Sequence, residues 1–100
     1  MPTSMQTIIG LMSGTSADGI DAAIIRSDGT RIERTNHAAT FAYPSNLREA
    51  ILAAAADAAS YLAEPNRRAQ LMQKITDAHC QAVASLREAA NFPKIDLIGF

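Results

Sequence analysis

TIIGLMSGTSADGIDAAIIR, residues 7–26, is the stretch on which the fold turns. Two apolar runs, residues 7–12 and 20–26, flank a stretch of small, polar and acidic residues. Both runs are short and rich in Ile, and the first opens on Thr, which favours strand over helix. Between them stand Gly14 and Gly19, the hydroxyls of Ser13, Thr15 and Ser16, and the carboxylate of Asp18, with Asp21 just inside the second run. Two strands joined this way make a hairpin whose turn covers residues 13–19.

The same logic extends along the chain. Ser27-Asp28-Gly29-Thr30 follows the second run, and Asp-Gly between extended segments marks another hairpin turn, because glycine takes positive φ at little cost. Residues 31–41 are the third strand. Ile32 is apolar but Arg34 and Asn36 are polar, so this strand is expected to be partly exposed. The three strands form an antiparallel meander.

Tyr43-Pro44 breaks the extended pattern and a helix begins. Asn46 and Glu49 have capping-box spacing, with Ser45 as the competing cap. Leu47, Ile51, Ala54, Ala55, Ala58 and Leu62 recur at three- and four-residue steps and predict one apolar stripe. Glu64-Pro65-Asn66 ends this helix. A second helix runs over residues 66–90, with Leu71, Ile75, Ala78, Ala82, Leu86 and Ala89 as its stripe. Asn91 supplies a left-handed cap and Pro93 blocks continuation. KIDLIGF, residues 94–100, reads as a buried strand from about residue 95, and parallel pairing with an earlier strand would make a β-α-β return.

One hundred residues make at most one domain of modest size. Apolar residues are 48% of the chain and charged residues 19%, a composition for a packed domain and not a disordered one. The formal net charge of −1 advertises neither a nucleic-acid face nor an acidic tail, so no nucleic-acid partner is expected. Cys80 has no second cysteine to pair with, which fits a reducing compartment. MPTSMQ has no basic residue ahead of an apolar block, and no run approaches the ~20 apolar residues that span a bilayer. A cytoplasmic protein without membrane contact is expected. The apolar strand on which the sequence closes predicts that residues 1–100 are the front part of a longer protein.

The chemistry concentrates in the first turn. Glycines let backbone N–H groups approach a ligand with no Cβ in the way, and clustered N–H and O–H donors form an anion site. Asp18 and Asp21 suit such a site once a divalent cation is included, so the set fits a nucleoside triphosphate with magnesium. Gly14 and Gly19 have the spacing of a Walker loop, but Ile20 and Asp21 stand where Lys and Ser or Thr are needed. G-x-G-x-x-G and G-x-S-x-G are both absent. A plain turn uses the same residue types, and that reading stays open on composition alone.

GLMSGTSADGIDAA, residues 10–23, closely resembles the N-terminal signature of the anhydro-N-acetylmuramic acid kinases, bacterial enzymes of cell-wall (peptidoglycan) recycling. The general plan of hairpin, third strand, Tyr-Pro, two helices and a strand ending in Ile-Gly-Phe is similar too. The resemblance implies an α/β fold, an actin-like (ribonuclease H-like, hexokinase-like) ATPase lobe, of which residues 1–100 are the N-terminal part. It implies that Gly14, Thr15, Ser16, Ala17, Asp18, Gly19, Ile20 and Asp21 form the ATP phosphate-binding hairpin, with ATP and magnesium as cofactors. The implied substrate is 1,6-anhydro-N-acetylmuramic acid, and a homodimer of the full-length protein is compatible with it. The family continues into a His-Gly-Gln-Thr segment near the sugar and a catalytic aspartate further on, neither present in these residues. No catalytic residue or direct metal ligand is therefore expected here, and the piece alone is expected to be inactive. Relatives sharing the fold usually place an Asp before the glycine. Here Leu11, Met12 and Ser13 precede Gly14, so the magnesium role falls to Asp18 or Asp21, through water.

Two other classes compete with a kinase: a catalytically silent nucleotide- or phosphate-binding module, and a structural α+β domain whose loop is only a turn. His79-Cys80 lacks further ligands on its helix face and reads as structural, as does His37 in the weak third strand. Arg67-Arg68 reads as a solvated helix start, and Met5, Met12 and Met72 as core filler.

Overall fold

The computed structural model describes residues 4–14, 16–91 and 94–100, and within helix α2 leaves the side chain of Leu62 undescribed. Strands β1 (Gln6–Ser13), β2 (Gly19–Ser27) and β3 (Ile32–Ala42) form the expected antiparallel meander. Helices α1 (Ser45–Ala56), α2 (Ala58–Leu62) and α3 (Pro65–Ala90) then lead to strand β4 (Leu97–Gly99). β4 lies parallel to β1, with Ile8 opposite Leu97 and Gly10 opposite Gly99, so the sheet order is β3-β2-β1-β4. The fold is mixed α/β, a four-stranded sheet with three helices.

Strand alternation decides what is buried. Ile9 pairs with Ile24 and Leu11 with Ala22, which puts these side chains and Ile20 on one face. That face packs against Tyr43, Leu47, Ala54, Leu71, Ala82 and Leu86 in a single core. Ile9, Ile20 and Ile24 are the largest fully buried side chains. Burying each contributes about 1.5–3 kcal/mol. The reverse face carries Gly10, Met12 and Asp21, all exposed.

β3 is largely exposed, as its poor alternation predicts. It also bulges: Ala23 faces Ala38 but Ile25 faces Arg34, leaving residues 35–37 opposite Ile24 alone. Asn36 absorbs the bend at φ +65°, and the Thr35 hydroxyl donates to the Ile24 carbonyl.

The helical half departs from expectation. The predicted first helix is two helices, broken at Asp57 (φ −145°, ψ 71°). The Asp57 carboxylate accepts the Ser60 N–H at 3.3 Å, so it caps a new helix where alanine-rich periodicity predicted continuity. Ala55, before the break, and Ala58, after it, are exposed, while Leu47 and Ala54 are buried. The Asn46–Glu49 capping box does not form. Pro44 takes the N-cap position without a side-chain bond, and Asn46 Oδ1 accepts the adjacent Leu47 N–H at 2.9 Å. Proline fixes φ at the junction, which draws Ser45 into the first turn and both box residues into the helix.

α3 matches its stripe at Leu71, Ala82 and Leu86, with Ile75 and Ala78 half-buried, but Ala89 is exposed and Ala90 takes its place. Asn91 caps it at φ +55°, as expected; Pro93 lies outside the described residues. Pro65 opens α3, where its missing N–H costs nothing. Met12 and Met72 are more than 60% exposed and are not core filler, since one faces the uncovered side of the sheet and the other solvent. β4 is shorter than predicted and is not buried: Leu97, Ile98 and Phe100 are all exposed. Among the described residues β4 pairs along one edge only.

Candidate functional site

The loop between β1 and β2 is built on a tight closure. Ala17 donates its N–H to the Gly14 carbonyl at 3.1 Å and adopts φ +54°. A left-handed alanine is unfavourable by roughly 1–2 kcal/mol, and here its methyl is buried in return. Thr15 lies outside the described residues. Gly14, Ser16 and Asp18 are exposed on this turn. Ala17 and Ile20, at 2% and 1% exposure, point into the protein.

The corner between β3 and α1 holds the loop from behind. Tyr43 donates its N–H to the Asp18 carbonyl at 3.2 Å and its hydroxyl to Ser13 Oγ at 3.0 Å. Arg48 Nη2 donates to the Ser16 carbonyl at 3.3 Å and lies 3.2 Å from Asp18 Oδ1. Both partners of that ion pair are substantially exposed, so it contributes at most about 1 kcal/mol to stability. Asp21 sits apart, on the reverse face of the sheet, where its Oδ1 accepts the Thr40 hydroxyl at 2.7 Å. A shallow groove of about 740 Å³ runs along that face past Gly10, Met12, Asp21, Ala23 and Thr40.

The two glycines of the loop do different jobs. A Cβ on Gly19 would stand 2.5 Å from the Phe41 carbonyl oxygen and 3.1 Å from the Ala42 Cα. Gly19 is therefore required by the approach of β3, a structural reason that composition does not reveal. A Cβ on Gly14 would meet nothing within 4 Å, and its φ is not positive. Among the described residues nothing asks for glycine there.

Eight residues were expected to act together. Gly14, Ser16 and Asp18 do share the exposed turn, Ala17 and Ile20 can contribute only main-chain atoms, and Asp21 faces elsewhere. Sequence reasoning missed Arg48 and Tyr43. In the sequence Tyr43-Pro44 marks the end of extended structure and says nothing of the contacts that Tyr43 makes with the loop. The remaining candidates lie away from this turn. His79 Nδ1 lies 2.8 Å from the Ile75 carbonyl and its ring tilts against Tyr43 and Phe100. Cys80 is exposed. Arg67 stacks 4.0 Å over the Tyr61 ring, a cation–π contact where a solvated charge was expected.

A family model described as anhydro-N-acetylmuramic acid kinase matches residues 6–99, nearly the whole chain. The chain belongs to the anhydro-N-acetylmuramic acid kinase family. Curated members agree. A protein of that name from Acidiphilium cryptum is 44% identical over 93 residues, covering 92% of this chain and 24% of the relative. One from Azorhizobium caulinodans is 39% identical over 97 residues, with 92% and 26% covered. One from Rhodopseudomonas palustris is 35% identical over 101 residues, with 96% and 28% covered. The chain thus spans about a quarter of the length of these kinases. No helix among the described residues is long and apolar enough to cross a membrane.

Proposed function

We propose that this chain is the N-terminal part of the first, actin-like lobe of a sugar kinase that opens 1,6-anhydro-N-acetylmuramic acid with water and phosphorylates it with ATP. The product is N-acetylmuramic acid 6-phosphate, and the setting is peptidoglycan recycling in the cytoplasm. In the anhydro sugar the sixth oxygen is tied to the anomeric carbon, so it cannot accept phosphate. A carboxylate base, contributed from outside these residues, removes a proton from water as the water attacks the anomeric carbon. The C1–O6 bond breaks, and the freed oxygen attacks the γ-phosphoryl group with ADP leaving.

The observation that carries this reading is the exposed Gly14, with no described atom in the way of a Cβ, at the head of a turn anchored by the buried Ala17. A phosphate oxygen could come close to the main chain there, and the Ser16 hydroxyl is exposed beside it. Phosphoryl transfer asks a protein chiefly for positioning and charge stabilisation, and a rigid loop with donors at its tip supplies both. Magnesium would neutralise charge on the phosphates. Among the described residues no three His, Cys, Asp or Glu cluster together. A cation here would be carried mainly by phosphate and water, with Asp18 acting on it through water. Asp21 is the weaker choice because it faces the other side of the sheet and already accepts from Thr40.

The test is product analysis with the full-length protein, the anhydro sugar and ATP. The expected product has gained one water and one phosphoryl group, with one ADP per sugar. Asp18→Asn is expected to raise the magnesium concentration needed for half-maximal rate. Sugar recovered unopened, with no ADP formed, would reduce the loop to a binding module or a plain turn.

A further inference from the structure

We propose that Arg48 is a positioning residue for the β1–β2 loop, fixing its main chain and offsetting the charge of Asp18 so that a polyphosphate can approach. The proposal rests on the phosphate-loop reading above.

Three observations carry it. The peptide joining Ser16 to Ala17 is held at both ends: Arg48 takes its carbonyl and the Gly14 carbonyl takes its N–H. Two residues further on, the Asp18 carbonyl is held by the Tyr43 N–H. Main-chain groups at residues 16–18 held in this way lose less freedom when an anion arrives, which is how preorganisation improves binding. Next, the same Nη2 lies against the Asp18 carboxylate. An unpaired carboxylate on that turn would repel phosphate, and a guanidinium at this distance removes most of that field. Last, the arrangement is a poor bargain for stability alone. The ion pair is exposed and weak, while Arg48 Nε is buried with no hydrogen-bond partner among the described residues, an unfavourable state for a donor. Arginine suits the role because its planar fork can serve a carbonyl and a carboxylate at once, which a lysine ammonium does less well.

Steady-state kinetics on the full-length enzyme test this, with Arg48→Met, which keeps the apolar stem, and Arg48→Lys, which keeps the charge. Arg48→Met is expected to raise KM for ATP by roughly tenfold while leaving KM for the sugar and the melting temperature nearly unchanged. Arg48→Lys should recover part of that loss. At saturating magnesium, where the role of Asp18 toward the cation is masked, adding Asp18→Asn to Arg48→Met should recover part of it too, because the uncompensated charge is then gone. Equal losses toward ATP and sugar with a lowered melting temperature would overturn the proposal in favour of a merely structural contact. The Gly14→Val variant separates the two readings. If it loses ATP turnover while Arg48→Met keeps a normal KM for ATP, only the role of Arg48 falls. If both variants bind ATP normally, the phosphate-loop reading falls with it.

Discussion

Two turns of this sheet are written in the same residues and used in opposite ways. The β2–β3 turn contains Ser27, Asp28 and Gly29, and it consumes its own polar groups. Asp28 Oδ1 accepts the N–H groups of Thr30 and Arg31 at 2.9 and 2.8 Å, and Ser27 Oγ accepts the Gly29 N–H at 3.0 Å. Gly29 sits at φ +95°, a conformation that other residues resist. The β1–β2 turn contains Ser13, Ser16, Asp18, Gly14 and Gly19, but its carboxylate reaches outward to Arg48 and its first glycine is under no conformational demand. A turn that satisfies itself is finished structure. One that is braced from outside, with Gly14, Ser16 and Asp18 exposed, is the one we propose meets a ligand.

The largest effect that can break this contrast comes from the glycines. Gly14→Val in the full-length enzyme should abolish measurable turnover yet leave the melting temperature within a degree or two. Nothing in the fold opposes the side chain, whereas an approaching phosphate would. Gly29→Val should do the reverse, costing on the order of 1–2 kcal/mol of stability through its positive φ with normal kinetics toward ATP. Should Gly14→Val unfold the protein, or Gly29→Val disturb ATP kinetics, the division of labour between the turns is wrong.

A smaller effect sharpens the same comparison. Ser16→Ala is expected to lower kcat/KM for ATP by the equivalent of about 1–3 kcal/mol, the scale of one hydrogen bond to a charged group. That deficit should persist when the sugar is saturating. Ser27→Ala, its counterpart in the closed turn, should leave kcat/KM untouched.

The smallest effect is the acid response of the closed turn. Bonds from the Arg31 and then the Thr30 N–H hold the Asp28 carboxyl below its ordinary value of 3.8. A depressed folded value means that the carboxylate stabilises the fold above about pH 4, and that this contribution fades as pH falls below 3.8 through the lowered folded value. Melting curves of the parent and Asp28→Asn should therefore differ most near neutral pH and converge in acid. A gap that widens in acid would contradict the assignment.

Much of this architecture could be read from the chain, and the failures have physical causes. The meander was legible because both apolar runs are short and Ile-rich, a local signal, and because Asp28-Gly29 names its own turn. The break at Asp57 was not, because alanines on both sides keep helical periodicity, and the only clue is an acidic residue three before Ser60. The burial expected of KIDLIGF failed because an apolar run reports the wish to be covered, not the presence of a cover. At the candidate site the exposed trio Gly14, Ser16 and Asp18 was legible as turn chemistry. Its brace was not. Arg48 stands 32 residues from the carbonyl it holds, and only the folding of β3 back along β2 brings them together.

The junction of β1 with β4 bears on the order in which the chain can assemble. Thr7 donates its N–H to Asp96 Oδ2 at 2.8 Å, and Asp96 returns its own N–H to the Thr7 carbonyl at 2.8 Å. These reciprocal bonds join residues 89 apart, with the whole helical segment in between. The meander needs only short loops to close. The fourth strand must await the return of a long one, with a correspondingly greater entropic cost. Hairpins first and β4 last is the sequence of events this topology favours, and Asp96 acts as the clasp. The Thr7 amide hydrogen is then among the last to be sealed from solvent and among the first to be released, a natural reporter in exchange experiments of whether the crossover has come home.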